Sequence, residues 1–257
     1  MKPQFRTITS VQNDEVKSIV RLHDARERRE HKLFIAEGIR TCTTLLENGM
    51  KISQLFLSDK SLIATFDTYI QPEKIVIVSD VVMKKMSSAA TPSGILCIFH
   101  IPEEPSIDQL SAGIILAEIA DPGNVGTLIR SAVAMNKQTV VCIGGADPWS
   151  PKAIQSTAGY ISHVNIFQLD WNSLVSAARK NSIPLIALVV SDGLSPEKAL
   201  QQNSLIIIGN EARGIPDAWV ADCDIKVTLP MPGITESLNA SVAGSIALYL
   251  TYWQNKS

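Results

Sequence analysis

The sequence predicts an α/β protein in two parts, a small N-terminal α/β unit and a larger C-terminal α/β domain. Three observations carry that expectation. Apolar runs have strand length, as in residues 183–190 (IPLIALVV), where a membrane helix needs roughly 18 residues or more. Segments with helical spacing of apolar residues alternate with those runs, an order of elements that covers both faces of a sheet. Between the halves, residues 101–109 (IPEEPSIDQ) hold two prolines and three acids without periodicity, the composition of a connection. The expected division is residues 1–100, a connection over 101–110, and a second domain over 111–257.

Composition narrows the class. Of 257 residues 46% are apolar, and the mean hydropathy is +0.14, which excludes a disordered chain and leaves ample length for a core. No apolar run could span a membrane, and the opening MKPQFRTI lacks the apolar region of a secretory signal. Four cysteines, Cys42, Cys97, Cys142 and Cys223, are widely spaced without CxxC, so reduced thiols, a cytoplasmic setting and no metal site are expected. A formal net charge of −2 argues against a protein held to nucleic acid by bulk charge. The charge is uneven, however, with eight Lys and Arg against five acids in residues 1–32. Arg26, Arg28 and Arg29 there read either as a phosphate-facing helix or as a solvated helix laced with Glu/Arg pairs.

In the first half, Val16, Ile19, Val20 and Leu22 give a helical stripe, and LFIAEG (33–38) reads as a buried strand stopped by glycine. A helix through Leu45 and Leu46 follows, then strands over 52–58 and 74–79, a helix over 80–86 and a strand over 94–100. In the second half, strands are expected over 114–119, 140–143, 164–169, 185–190, 205–208 and 225–229. Helices are expected over 125–135, from Ser150–Pro151 (an N-cap followed by the first helical position), over 173–180 and 196–200, and last over 237–254. That last helix carries Leu238, Val242, Ile246, Tyr249 and Trp253 on one flank and Ala240, Ala243, Gly244 and Ala247 on another. It is expected to be buried on two sides.

Three segments set polar residues beside glycine at strand ends. They are DPGNVGTLIRSA (121–132), IIIGNEARGIP (206–216) and LPMPGITESLNASVAG (229–244), the third opening its helix with Glu236, Ser237 and Asn239. In open parallel sheets, loops at the carboxyl ends of strands converge on ligands, so these residues can meet. Asn124 stands where an N-cap would, and plain capping is one reading of it. Arg130 reads as a structural ion pair or as a bidentate phosphate holder. Gly209 allows a ligand against the backbone. No GxGxxG follows a strand and no GxxxxGK[ST] occurs, which excludes the usual nucleotide loops. The four histidines lie outside the three segments, and no paired carboxylates are in evidence. Amides, one guanidinium, one carboxylate and hydroxyls suit the positioning of a polar substrate beside a reactive cofactor.

The three segments resemble the three motifs of the SpoU (TrmH-type) RNA ribose 2′-O-methyltransferases of the SPOUT superfamily. Asn124 and Arg130 stand at the marked positions of the first motif, Gly209, Asn210, Glu211 and Gly214 at those of the second, and Pro230, Ser237, Leu238 and Asn239 at those of the third. The N-terminal half is similar to the family's ribosomal-protein-like substrate-binding domain, through VQNDEVKSIVRL, RREHKLFIAEG and TPSGIL. The resemblance implies a trefoil-knotted C-terminal domain, a homodimer whose interface completes the site, and transfer of a methyl group from S-adenosylmethionine to a ribose 2′-hydroxyl in structured RNA. Ribosomal RNA is favoured over transfer RNA. It implies that Gly209, Asn210, Leu229, Pro230, Met231, Leu238 and Asn239 hold the cofactor, largely through backbone groups. Arg130, Asn124, Glu211, Ser237 and Asn239 would carry the reaction: Arg130 gripping a phosphate and polarising the 2′-oxygen, Glu211 orienting Arg130 or Asn124, and Ser237 and Asn239 fixing backbone and ribose. In this light Arg26, Arg28 and Arg29 face RNA. The third motif reads SLNAS where SLNVS is more usual, a loss of bulk at Ala240. The alternatives are a non-catalytic RNA-binding or assembly protein and a knotted enzyme that methylates a base.

Overall fold

The structure, a computed structural model, describes residues 5–235 and 237–253. Two compact units form, Met1–Pro102 with Trp149–Ser162, and Glu103–Pro148 with His163–Ser257. Among the described residues each contains one sheet.

The sheet of the first unit has the order β1 (Arg6–Ile8), β4 (Ile75–Val78), β3 (Ile52–Leu57), β5 (Ile95–His100), β2 (Leu33–Glu37). β1, β4 and β3 run parallel, while β5 is antiparallel to both its neighbours. Alternation along each strand divides its side chains between two faces. Ile35, Phe56, Val76 and Ile98 meet α1 (Asp14–Arg21) and α5 (Asp80–Met86) through Val16, Ile19, Val82 and Met86. Helix α2 (Ala25–His31) precedes β2. The remaining helices of this unit are α3 (Ile39–Glu47), the short α4 (Ile63–Phe66) and α7 (Pro151–Thr157), capped by Ser150 as expected. Phe34 stacks on Phe99 at 5.5 Å and meets Trp149 at 5.1 Å. The α7 segment comes from the second half of the sequence yet clusters with the first unit.

The second sheet is parallel throughout, in the order β11 (Ile225–Val227), β9 (Leu185–Leu188), β10 (Leu205–Gly209), β6 (Gly113–Ala117), β7 (Thr139–Ile143), β8 (Asn165–Gln168). Both faces are covered, which explains why its strands read as unbroken apolar runs. Ile115, Ala117, Leu205 and Ile207 pack with α8 (Trp171–Lys180) on one side. The short α9 (Pro196–Ala199) and α10 (Asp217–Ala221) follow β9 and β10, and Trp219 of α10 stacks on Trp171 at 4.8 Å. On the other side α6 (Pro122–Ala134) contacts β6 and β7, and α11 (Ala240–Trp253) contacts α6 and β10.

Three expectations are corrected. Helix α6 starts at Pro122, with Asp121 as its cap accepting from Gly123 N at 2.6 Å, so Asn124 lies inside the first turn. Helix α11 starts at Ala240 because the Asn239 side chain accepts from Ser241 N and Val242 N and so caps it; Gln254 lies outside the described residues. Nor is α11 buried on two sides. Its small flank faces inward, where a Cβ on Gly244 would stand 2.4 Å from Leu128 Cδ2, while Val242, Ile246, Tyr249 and Trp253 are 47%, 39%, 49% and 57% exposed.

Candidate active site

Register brings the first two polar segments together. Gly209 pairs with Ala117, so β10 and β6 end side by side, and β6 is where the strand order turns back on itself. Such a switch point is where a crevice opens in parallel sheets. Beyond β10 the chain closes a tight turn, with Asn210 N to Gly214 O at 3.0 Å and Gly214 N to Asn210 O at 2.9 Å. A Cβ on Gly209 would lie 2.4 Å from the Gly214 carbonyl carbon. The sequence assigned that glycine's free space to a ligand; the protein's own backbone fills it.

The turn delivers two side chains to β6. Asn210 Nδ2 donates to Glu118 O at 2.8 Å, while its Oδ1 accepts from Ala212 N and Arg213 N. Its side chain is thus spent on joining the two strand ends. The Glu211 carboxylate accepts from Ala120 N at 3.0 Å, Asp121 N at 3.2 Å and Asn124 Nδ2 at 2.7 Å. Partial burial pushes this carboxyl up, but the Ala120, Asn124 and Asp121 hydrogen bonds outweigh it and leave the group below its ordinary value.

The third segment closes the chain of contacts. Asn239 Nδ2 donates to Asn124 Oδ1 at 3.2 Å, and Asn239 Oδ1 accepts from Ser241 N, Ser241 Oγ and Val242 N. A continuous polar path therefore runs from Glu211 through Asn124 and Asn239 into the start of α11. Of the two partners the sequence allowed Glu211, the structure shows Asn124.

Arg130 lies two turns into α6, exposed, with no hydrogen-bond or ion-pair partner among the described residues. Among the described residues Arg130 therefore forms no structural ion pair. Next to it, Ser131 Oγ meets Ser245 Oγ of α11 at 2.7 Å, and Ser245 in turn donates to Ser241 O.

Beside this path opens a cleft of about 390 Å³. Gly209, Asn210, Glu211, Leu229, Met231, Ser237 and Leu238 line it, together with Leu188, Val189 and Val190 beyond β9, Arg213 of the turn, and Ala240 and Ala243 of α11. Seven of the residues expected at the site thus share one wall, whereas Asn124, Asn239, Arg130 and the exposed Pro230 lie outside its lining. Glu236 falls outside the described residues. Sequence reasoning missed the β9 end and Arg213. Strand order, which alone brings β9 beside β10, is not written locally; Arg213 stood in the quoted segment as a cation two residues past Glu211.

In the first unit Arg26 and Arg29 are exposed on α2. Arg28 is 3% exposed, and its Nη1 donates to Leu22 O at 2.8 Å and His23 O at 2.9 Å. It satisfies the carbonyls beyond α1, so a phosphate-facing role for Arg28 is corrected to a structural one. Among the described residues no group of three or more His, Cys, Asp or Glu could hold a metal ion. No helix among them is long and apolar enough to cross a membrane.

Comparison with known proteins adds independent observations. Residues 111–249 match the SpoU rRNA Methylase family, and residues 13–97 match the MRM3-like substrate binding domain. The chain is 27% identical over 248 residues to the 23S rRNA (guanosine(2553)-2′-O)-methyltransferase RlmP of Bacillus subtilis, covering 95% of this chain and 98% of that protein. It is 26% identical to the 23S rRNA (uridine(2479)-2′-O)-methyltransferase of Streptomyces viridochromogenes, over 84% of this chain and 81% of that one. Among solved structures, an RNA 2′-O ribose methyltransferase superposes with a TM-score of 0.82 at 26% identity, over 98% of this chain and 100% of the other. An AdoMet-bound rRNA methyltransferase from Sinorhizobium meliloti shares the fold, with a TM-score of 0.85 at 22% identity over 96% and 97% of the two chains.

Proposed function

This chain belongs to the SpoU rRNA methylase family, and we propose that it methylates a ribose 2′-hydroxyl of ribosomal RNA with S-adenosylmethionine as donor. The observation that carries the reading is the meeting of three distant segments at one site: the second and third line a single cleft, and the first is hydrogen-bonded to both. Glu211, Asn124 and Asn239 form a hydrogen-bonded path along its edge, and 23S rRNA 2′-O-methyltransferases are relatives along nearly the whole chain.

The cleft fits the cofactor. About 390 Å³ falls within the roughly 300–1,000 Å³ of small-molecule sites. Its aliphatic walls at Leu188, Leu229 and Leu238 suit the faces of a nucleobase, and the loop backbone at 209–214 and 229–231 offers polar groups to its edge. When bound, S-adenosylmethionine supplies a methyl group activated by a positively charged sulfur.

The chain's own residues then do two things. The polar path fixes the first turn of α6 against the β10 turn and the start of α11, which sets where Arg130 emerges. Arg130, without a partner among the described residues, grips the RNA phosphate beside the target ribose with its planar fork and polarises the 2′-oxygen. A guanidinium is effectively always charged near neutrality, so we assign Arg130 positioning and electrostatic work rather than proton removal. Ser237, on the cleft wall, and Asn239 hold backbone and ribose.

We further infer a homodimer built on the exposed face of α11. Val242, Ile246, Tyr249 and Trp253 form an apolar row that a solitary subunit would leave in water, and Arg130 on the adjacent helix would sit beside a partner's cleft. The second unit takes the knotted form of the family, the first presents RNA through Arg26 and Arg29, and the protein works in the cytoplasm. Mapping ribose methylation in ribosomal RNA from cells with and without the gene tests the activity. One nucleotide should lose its 2′-O-methyl group on deletion; an unchanged map would refute the reading.

A further inference from the structure

Two charged side chains stand at the same strand ends without joining the polar path. Glu118 follows β6 in the left-handed region, at φ 55°, where a non-glycine residue is strained and persists only if its surroundings over-determine it. Here they do. Glu118 N donates to Ile143 O at 2.9 Å, Glu118 O accepts from Asn210 Nδ2 at 2.8 Å, and Gly145 packs so closely that a Cβ would lie 2.4 Å from Ile119 O. Strain held at a strand end beside a cleft needs a reason. The conformation brings the Glu118 carboxylate to Arg213, Oε2 to Nη2 at 3.2 Å.

Arg213 is the one cation among the described residues lining the cleft. The other charged residue there, Glu211, already has both oxygens engaged by three donors. The side chains of Arg213 and Glu118 are 74% and 38% exposed, so their mutual attraction adds little to stability and either partner can turn to a ligand at small cost. A guanidinium and a carboxylate held side by side are the complement of an amino-acid zwitterion, since the fork takes a carboxylate through two parallel N–H donors and the carboxylate takes an ammonium.

We propose that Glu118 and Arg213 are the recognition pair for the amino-acid tail of the cofactor, Arg213 receiving its carboxylate and Glu118 its ammonium. The assignment rests on the cofactor reading of the cleft and adds which end of the cofactor lies at which side. It also gives the strained backbone a purpose, because a relaxed residue 118 would turn its side chain elsewhere.

Titration calorimetry separates the possibilities with two probes, S-adenosylhomocysteine and 5′-methylthioadenosine, which share nucleoside and sulfur while only the first has the amino-acid tail. Arg213→Met is expected to weaken S-adenosylhomocysteine on the order of tenfold or more, the size of a lost charge-assisted contact, and to leave 5′-methylthioadenosine unchanged. Glu118→Gly suits the left-handed backbone, so it keeps the fold, guarded by thermal melting, and should show the same selectivity to a smaller degree. Equal losses for both probes, or none for either while RNA affinity in a filter-binding assay falls, would overturn the pair and leave the cofactor reading intact. A wild-type protein that bound neither probe would overturn both.

Discussion

Glu211 and Asn124 lie 87 positions apart in the chain and meet through a 2.7 Å hydrogen bond in which the amide donates to the carboxylate. That bond fixes the orientation of the Asn124 amide, because its oxygen is left to accept from Asn239. Replacing Glu211 by Gln puts a second amide where a charged acceptor stood, facing the N–H groups of Ala120 and Asp121. The expected cost is about 1 kcal/mol, discounted for exposure from the usual value of a charged hydrogen bond. Thermal melting should show a lower midpoint, and activity should fall further than cofactor affinity.

The same carboxyl gives a pH dependence. Its folded value lies below the ordinary 4.5, so its ionised form is favoured by folding. The stability it contributes is fully present above that ordinary value and is lost as pH falls through the depressed one. Melting curves of wild type and Glu211→Gln should differ most near neutrality and converge in acid below the ordinary carboxyl range. A gap that stayed constant down to pH ~2, below the reference value of any carboxyl side chain, would contradict the assigned network.

Arg28 and its neighbours should separate cleanly. Arg28→Ala removes donors from the carbonyls of Leu22 and His23 and should destabilise the protein by roughly 1–3 kcal/mol. Arg26→Glu with Arg29→Glu should leave the melting midpoint nearly unchanged yet weaken RNA binding and flatten its salt dependence. Cofactor affinity should be normal in both.

The two flanks of α11 should respond oppositely. A leucine at position 244 would collide with Leu128 and Ile208, and overpacking of this kind costs typically 1–3 kcal/mol. Ile246→Glu with Tyr249→Glu alters exposed positions, so the subunit should stay folded while sedimentation shifts it to monomer.

How far these features were legible in the sequence depended on range. Strands such as Leu205–Gly209 were readable because burial on both faces leaves an unbroken apolar run. The three-residue edge strand β1 offers too few positions for any period. Both helix starts were placed wrongly: Asp121 and Asn124 are equally good caps by residue type, Ser237 was read as already helical where Asn239 caps, and only backbone geometry chooses. The site's residue types were visible, and Asn124 was one of two partners allowed to Glu211, whereas the choice between them was not. Nothing local tells that Asn124 turns to Glu211, that Arg28 folds back on α1, or that the small flank of α11 faces inward. Each of those facts depends on a partner distant in sequence or on a neighbouring helix end.

The most direct measurement is methyl transfer to ribosomal RNA by purified wild-type and Arg130→Lys protein, with the product identified by mass spectrometry of nucleosides and cofactor binding followed in parallel. Lysine keeps the charge and loses the fork. The account predicts a 2′-O-methylated nucleoside from wild type, a rate about 100-fold lower for Arg130→Lys, as when a preorganised charge contact is lost, and equal cofactor affinity. Full turnover by Arg130→Lys, or a methyl group found on a base, would contradict it.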